Sequence, residues 1–235
     1  MKKLIVGAIV LSLALVSCNS SKSTTGSKGG KWITLFDGSN LDAFKAYNKE
    51  ELSDQWKIEG DVMVFTPRED RRHSENLITK QEFRNFKIAF DWKIAQGGNS
   101  GFMWAVQEKP EFHEPYATGP EIQILDDDGH PDGKNGRSHQ SGALYDIIGA
   151  SEKANPAGEW NHYEITINYD TNEGIIEMNG TQVVTFPVKG EEWDTLVKNS
   201  KFRNWGDFAK VETGHIALQD HGGQVSFKNI KIKEL

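Results

Sequence analysis

Gly119-Pro120-Glu121-Ile122-Gln123-Ile124-Leu125-Asp126-Asp127-Asp128-Gly129-His130-Pro131-Asp132 carries two signals in one run of residues. Its first half reads as a strand: Glu121, Gln123 and Leu125 point one way, Ile122 and Ile124 the other, at the two-residue period of a pleated segment. The β-branched pair belongs in a core. A carboxylate and a carboxamide on the opposite face form a polar platform that is costly to cover, so this face is expected to line a wet cleft. After Leu125 the chain turns acidic and ends in His130-Pro131-Asp132, so possible acids, bases and metal ligands gather close to the platform.

On either side the same period recurs. Trp32 to Phe36, Trp56 to Glu59 with Val62 to Phe65, Phe86 to Ile94 and Phe102 to Val106 read as strands before the central stretch. Gly97 to Gly101 reads as a turn and Pro67 to Glu75 as a polar loop. After it come Ser141 to Ile147, Trp160 to Tyr169, Ile175 to Met178, Thr181 to Phe186, Gly214 to Gln219 and Val225 to Ile232. Asn179-Gly180 is the strongest two-residue hairpin signal. Glu191 to Asn199 reads as one short helix. Many short strands with almost no helix predict an all-β sandwich or barrel, and 235 residues without a repeat fit one such domain.

The N-terminus reads as an address. Lys2 and Lys3 precede an apolar run, Leu4 to Val16, too short to span a bilayer comfortably. Leu15-Val16-Ser17-Cys18 resembles a bacterial lipobox, which implies cleavage after residue 17 and lipidation of Cys18, the only cysteine. Residues 19–30 lack any large apolar side chain and read as a flexible tether, leaving 31–235 as the folded unit. The implied setting is the cell envelope of a Gram-negative bacterium, with the membrane met only through the lipid. The formal charge of -7 gives no basic footprint for nucleic acid and suits a neutral substrate better than a polyanion.

Gly98-Asn99-Ser100-Gly101, Gly119 to Asp126 and Leu218-Gln219-Asp220-His221-Gly222, followed by Phe227 to Leu235, together resemble the 3-keto-disaccharide hydrolase family. The resemblance covers about Trp32 to Leu235. It implies a concanavalin A-like jelly roll, two antiparallel sheets with a carbohydrate cleft on the concave one, and a small oligosaccharide or glycoside as substrate. Laminarinase-like glucanases of the same fold carry Glu-x-Asp-x-x-Glu. The matching positions here are Glu121, Gln123 and Asp126, so the middle carboxylate is missing. Asp126 would also need a bulge to reach the cleft. A retaining glycosidase needs two carboxyl groups about 5 Å apart, which disfavours ordinary glucanase chemistry.

A ketone at C3 changes what is needed. It acidifies the C2 hydrogen, so a base can form the enolate, the C1 substituent can leave, and water can add. Glu121 and His221 are the expected acid/base core. Gln123 and Gln219 would hold hydroxyls or the enolate, Trp104 or Tyr145 would offer a stacking face, and Asn99, Asp126 and His139 complete the candidate binding set. The enolate charge needs donors or a metal ion to hold it; no cofactor is fixed by the sequence, and a divalent metal ion is the candidate. His130 and Asp132 are its candidate ligands, in a spacing that matches no fixed ligand pattern. The ketone implies an upstream sugar 3-oxidoreductase. Plainer readings stand beside these: Glu121 paired with Arg72, His221 capping its own turn, His113 and His162 at the surface, the Arg71 loop as a solvated rim or lid, and a non-catalytic carbohydrate-binding module.

Overall fold

The structure is a computed structural model that describes residues 30–49, 51–68 and 75–235. The expected signal peptide, Cys18, the tether up to residue 29, and Arg71 and Arg72 lie outside the described residues. In chain order the strands begin with β1 (Ile33–Phe36), β2 (Phe44–Ala46), β3 (Trp56–Glu59), β4 (Val62–Phe65), β5 (Leu77–Phe83), β6 (Phe86–Ile94) and β7 (Asn99–Val106). They continue with β8 (Glu121–Leu125), β9 (Asn161–Asn168), β10 (Glu173–Met178), β11 (Thr181–Phe186), α1 (Gly190–Lys198), β12 (Gly214–Leu218) and β13 (Val225–Glu234).

Two antiparallel sheets result. The larger runs β11-β10-β9-β6-β13-β4-β3, with β1 also on β13, and the smaller runs β2-β5-β12-β7-β8. This is the two-sheet jelly roll expected from the sequence. Strand β6 shows why alternation was readable: Phe86, Ile88, Phe90, Trp92 and Ile94 are all buried. They face the smaller sheet, where the Phe90 ring stacks on Phe102 of β7 at 5.6 Å. Tyr163 of β9 packs edge-on against Phe90 at 5.7 Å, and Phe227 of β13 closes in at 6.1 Å. Such aromatic contacts add directionality to the apolar burial that dominates core stability. The Asn179-Gly180 hairpin joins β10 to β11 with positive φ at both residues, 53° and 82°, as its turn type requires.

Three local expectations differ from what forms. Asn99 to Gly101 belongs to β7 rather than to a turn, because these residues pair in register with Leu125, Ile124 and Gln123 of β8. Ser141 to Ile147 is not a strand. It runs beside β8, touching it through an Ile122–Leu144 bridge, then doubles back so that Leu144 also bridges Ile148. Asp146 takes a φ of 58° there. Strands β2 and β5 escape the sequence reading, since β5 mixes Leu77-Ile78 with Thr79-Lys80-Gln81-Glu82 in no clean alternation. No helix among the described residues is long and apolar enough to cross a membrane.

Candidate active site

The outer face of the smaller sheet carries a cavity of about 260 Å³. Its floor is built by strands. Glu121 and Gln123 rise from β8, Asn99 from β7 beside them, and Gln219 from the residue after β12. Pairing explains the arrangement: Gly101 sits opposite Gln123 and Met103 opposite Glu121, so odd-numbered residues of both strands share this face while Ile122, Ile124 and Phe102 enter the core. Gln219 is brought in by its N–H donating to Gly101 O at 2.9 Å. The wall is built by loops and supplies Tyr116, Tyr145, Lys201, Phe202, Trp205 and His221.

Gly101 is the residue that makes space for the acid. A Cβ at this position would lie 2.1 Å from Glu121 Oε1 and within 3 Å of Glu121 Cδ and Cγ. Without that Cβ the Glu121 side chain lies flat across β7, only 8 % exposed. Burial raises its pKa from the ordinary carboxyl range to about 8; Asp132 pushes the same way and Lys201 opposes. At neutral pH Glu121 is therefore a protonated acid, as burial in a low-dielectric site dictates.

His221 arrives differently. Strand β12 ends at Leu218, and the following turn is fixed by Asp220. The Asp220 carboxylate accepts N–H bonds from Glu75 at 3.0 Å and Gly222 at 2.8 Å, while Asp220 N–H donates to Asn76 Oδ1 at 2.9 Å. It is thus Asp220 that caps the turn, leaving the exposed imidazole of His221 at the cavity mouth. Enclosure by surrounding protein, reinforced by His130 and Lys201, holds the imidazole pKa below its ordinary value; Asp220 and Asp132 pull the other way. The outcome is a neutral histidine and a neutral carboxyl group lining the same cavity.

Two buried amides on the floor have unmet capacity. Asn99 Oδ1 and Gln219 Oε1 have no hydrogen-bond partner although both atoms are shielded from solvent. A buried acceptor left empty costs on the order of 1–3 kcal/mol, so these positions fit a ligand that brings O–H donors. Gln123 is already engaged: its Oε1 accepts from Ile124 N–H at 3.1 Å and its Nε2 donates to His139 O at 3.4 Å. It lines the cavity while tying the next loop down.

That loop carries Tyr145, which lines the cavity as expected. Its position follows from Tyr145 N–H donating to Glu121 O at 2.9 Å and its hydroxyl to Asp132 Oδ2 at 2.8 Å. Burial and the Asp132 carboxylate drive the phenol pKa far up, so Tyr145 keeps its proton. His139 does not reach the cavity lining. Its ring lies between two carboxylates, Nδ1 at 3.0 Å from Asp132 Oδ1 and Nε2 at 3.0 Å from Asp146 Oδ1; it supports Tyr145 from behind, edge-on at 4.8 Å.

Two further expectations change. Trp104 is 1 % exposed; its indole N–H donates to Tyr169 Oη at 3.2 Å and its ring packs near Phe186 at 5.8 Å. No face is left for a sugar, because even-numbered β7 residues point inward. Asp126 also fails to enter the cavity: no bulge interrupts β7–β8, and its carboxylate accepts N–H bonds from Gly97 at 2.7 Å and Gly129 at 3.1 Å. It holds two turns together. A second cavity carboxylate in the glucanase manner is absent among the described residues.

The aromatic surface comes instead from Trp205, 37 % exposed, set edge-on to Phe202 at 5.1 Å and 6.1 Å from Tyr116. Phe202 is itself fixed by a parallel stack on Phe208 at 4.0 Å. Together with Lys201, these are the site residues the sequence reading missed. The one available signal was the density of aromatics in Phe202-Arg203-Asn204-Trp205-Gly206-Asp207-Phe208, in a segment without strand period.

The proposed metal ligands do not converge. His130 Nδ1 accepts Asp132 N–H at 3.1 Å, and the Asp132 oxygens are taken by His139, Asn135 and Tyr145. Among the described residues no group of three or more His, Cys, Asp or Glu side chains is arranged to hold a metal ion. His162 is a surface partner of Asp91 at 2.6 Å, and His113 is exposed.

Residues 31–233 match the 3-keto-alpha-glucoside-1,2-lyase-like domain family. A Bacteroides thetaiotaomicron protein named 3-keto-disaccharide hydrolase is 32% identical over 231 residues, spanning 87% of this chain and 78% of that protein. A crystal structure of a candidate glycosyl hydrolase from Parabacteroides distasonis superposes with a TM-score of 0.79 at 32% identity, covering 88% of this chain and 94% of the other. A Bacillus subtilis protein with a galectin-like fold, at 7% identity and a TM-score of 0.53 over 88% and 97% of the two chains, shares the fold alone.

Proposed function

From the membership of this chain in the 3-keto-alpha-glucoside-1,2-lyase-like domain family, we propose that it cleaves 3-keto-glycosides by elimination across C1–C2 followed by hydration. The observation that carries this reading is the pairing of an acid that keeps its proton with a histidine that does not. Two groups whose environments push their pKa values in opposite directions are an acid and a base in waiting. His221 takes the C2 proton. The C–H electron pair becomes the C2–C3 double bond and the ketone pair moves onto O3. When that pair returns, the C1–O bond breaks and Glu121 gives its proton to the leaving oxygen. Water then adds across the new C1–C2 double bond, so the net result is hydrolysis.

The missing second carboxylate supports the same reading, since direct displacement at C1 would need one ionised carboxylate beside one acid. Asn99 Oδ1 and Gln219 Oε1 supply the acceptors that sugar hydroxyls would fill, and Trp205 offers the ring face. The upstream reaction is then an oxidation at C3 by a sugar oxidoreductase. Lipid attachment at Cys18 would place this activity at the cell envelope.

The test is product release from a 3-keto-disaccharide and from its unoxidised parent. Cleavage of the ketone alone is expected, with losses of about 10²–10⁴-fold in His221→Ala. Cleavage of the parent at a comparable rate would overturn the proposal. Binding of either sugar without turnover would favour a carbohydrate-binding module instead.

A further inference from the structure

Lys201 belongs to no motif used so far, yet it lines the cavity alongside Glu121, His221, Asn99 and Gln219. Its backbone N–H donates to Asp146 Oδ2 at 2.6 Å. That carboxylate is braced in turn by His139, and His139 by the Asp132 that holds the Tyr145 hydroxyl. The base of the side chain is therefore fixed by the same network that positions Tyr145. Its ammonium nitrogen lies 4.0 Å from the Tyr145 ring centroid and 5.1 Å from that of Phe202. Aromatic faces attract a cation without neutralising it.

Other lysines near carboxylates are consumed. Lys45 pairs with Glu108, and Lys87 with Glu164 and Glu177. No carboxylate of the described residues stands within ion-pair distance of Lys201 Nζ. The charge inventory of the lining sharpens this. Glu121 holds its proton and His221 lacks one, so among the described residues of the lining Lys201 is the one formal charge at neutral pH. The unsatisfied floor atoms, Asn99 Oδ1 and Gln219 Oε1, are acceptors and would repel an oxyanion.

We propose that Lys201 is a further catalytic residue whose ammonium group holds the O3 oxyanion formed when C2 is deprotonated. This rests on the reading of the cavity as a site for 3-keto-glycosides. The charge is held in place against the faces of two rings at the cavity wall, so little reorganisation is needed when the oxyanion forms. It also explains why an acid and a base suffice in this cavity. The base need only move the proton, because the charge left behind is met by a cation already in place.

Two substrates separate the steps. A 3-keto-1,5-anhydrohexitol lacks the exocyclic C1 substituent, so deuterium entry at C2 in D₂O reports enolate formation without glycoside cleavage; a 3-keto-disaccharide reports cleavage. Lys201→Met is expected to lose about 10²–10³-fold in both C2 exchange and kcat, with KM within about threefold. Lys201→Arg should recover part of both. Because Lys201 depresses the pKa values of Glu121 and His221, both limbs of the pH profile should move to higher pH in Lys201→Met, a change that loss of packing would not produce. The side chain is exposed, so the thermal midpoint should hold. Exchange and kcat of Lys201→Met within threefold of an active wild type would overturn the role of Lys201 and leave the cleavage reading intact. A wild type that neither exchanges C2 nor cleaves the ketone would overturn both.

Discussion

The floor and the wall of the cavity are made by different physics. Asn99, Glu121 and Gln123 are set by the pleat of β7 and β8; Ile122, between Glu121 and Gln123, fixes their direction by entering the core, and Asn99 is held by the pairing of β7 with β8. Tyr145, Lys201, Phe202 and Trp205 are set by loop hydrogen bonds and ring stacking between segments distant in sequence. A floor residue cannot turn away without slipping the whole strand by one residue. A wall residue can move while the sheet stays intact. The floor should therefore hold its groups with little displacement, whereas the wall combines two groups given chemical roles, His221 and Lys201, with rings that supply affinity.

The sharpest way to break this contrast is Gly101→Ala. The added Cβ would overlap Glu121 Oε1, Cδ and Cγ, so the carboxyl group must leave its place. Its side chain can swing toward the cavity at modest cost, whereas a misplaced acid removes most of the proton transfer. We expect about 10²–10³-fold loss in kcat with unfolding free energy changed by only about 1 kcal/mol. A comparison of kcat with the urea midpoint checks it. Full activity in this variant would mean that the location of Glu121 on the floor is unimportant.

Glu121→Gln probes the same residue from the side of stability. An unfolded glutamate loses its proton near 4.5, while in the folded state it keeps it up to about 8. Between those values the folded protein binds the extra proton, so wild-type stability is full below pH 4.5 and declines as pH rises toward 8. Glutamine never ionises. The variant should therefore be inactive yet more stable than wild type at pH 7, by on the order of 2–3 kcal/mol, with the advantage shrinking as pH falls to 4.5. Denaturant titrations at several pH values measure it; equal stability at all pH values would mean that Glu121 is not buried with its proton.

The same division explains what was legible in the sequence. Strand β8 and the positions of Glu121, Gln123 and Gln219 follow from a two-residue period, because burial of Ile122, Ile124 and Leu218 forces the alternate residues outward. The same rule corrects Trp104, expected as a stacking face: it follows Met103, which pairs with Glu121, so Trp104 must face inward. Asp126 lies one residue past the strand, where its carboxylate is more useful to the bare N–H groups of Gly97 and Gly129 than to a ligand. Lys201 and Trp205 could not be placed. Their position depends on a contact with Asp146, more than fifty residues away in sequence, and on the Phe202–Phe208 stack. Neither leaves a local period.

Trp205 is the smallest and most specific test of the wall. It is exposed, which most large apolar side chains here are not, and Phe202, Phe208 and Tyr116 hold it at fixed angles rather than covering it. A ring kept open at a cavity mouth contributes contact area to a bound sugar without touching the reacting atoms. Removing it should weaken ground-state and transition-state binding equally, which raises KM and leaves kcat alone. For Trp205→Ala we expect about a tenfold rise in KM, corresponding to roughly 1.4 kcal/mol, with kcat and the thermal midpoint close to wild type. The rise should shrink for a substrate lacking the second sugar if the ring contacts the leaving unit, and persist if it contacts the oxidised one. A fall in kcat with KM unchanged would give Trp205 the kind of role proposed for Lys201 and His221, and its assignment as a ring that only binds would fail.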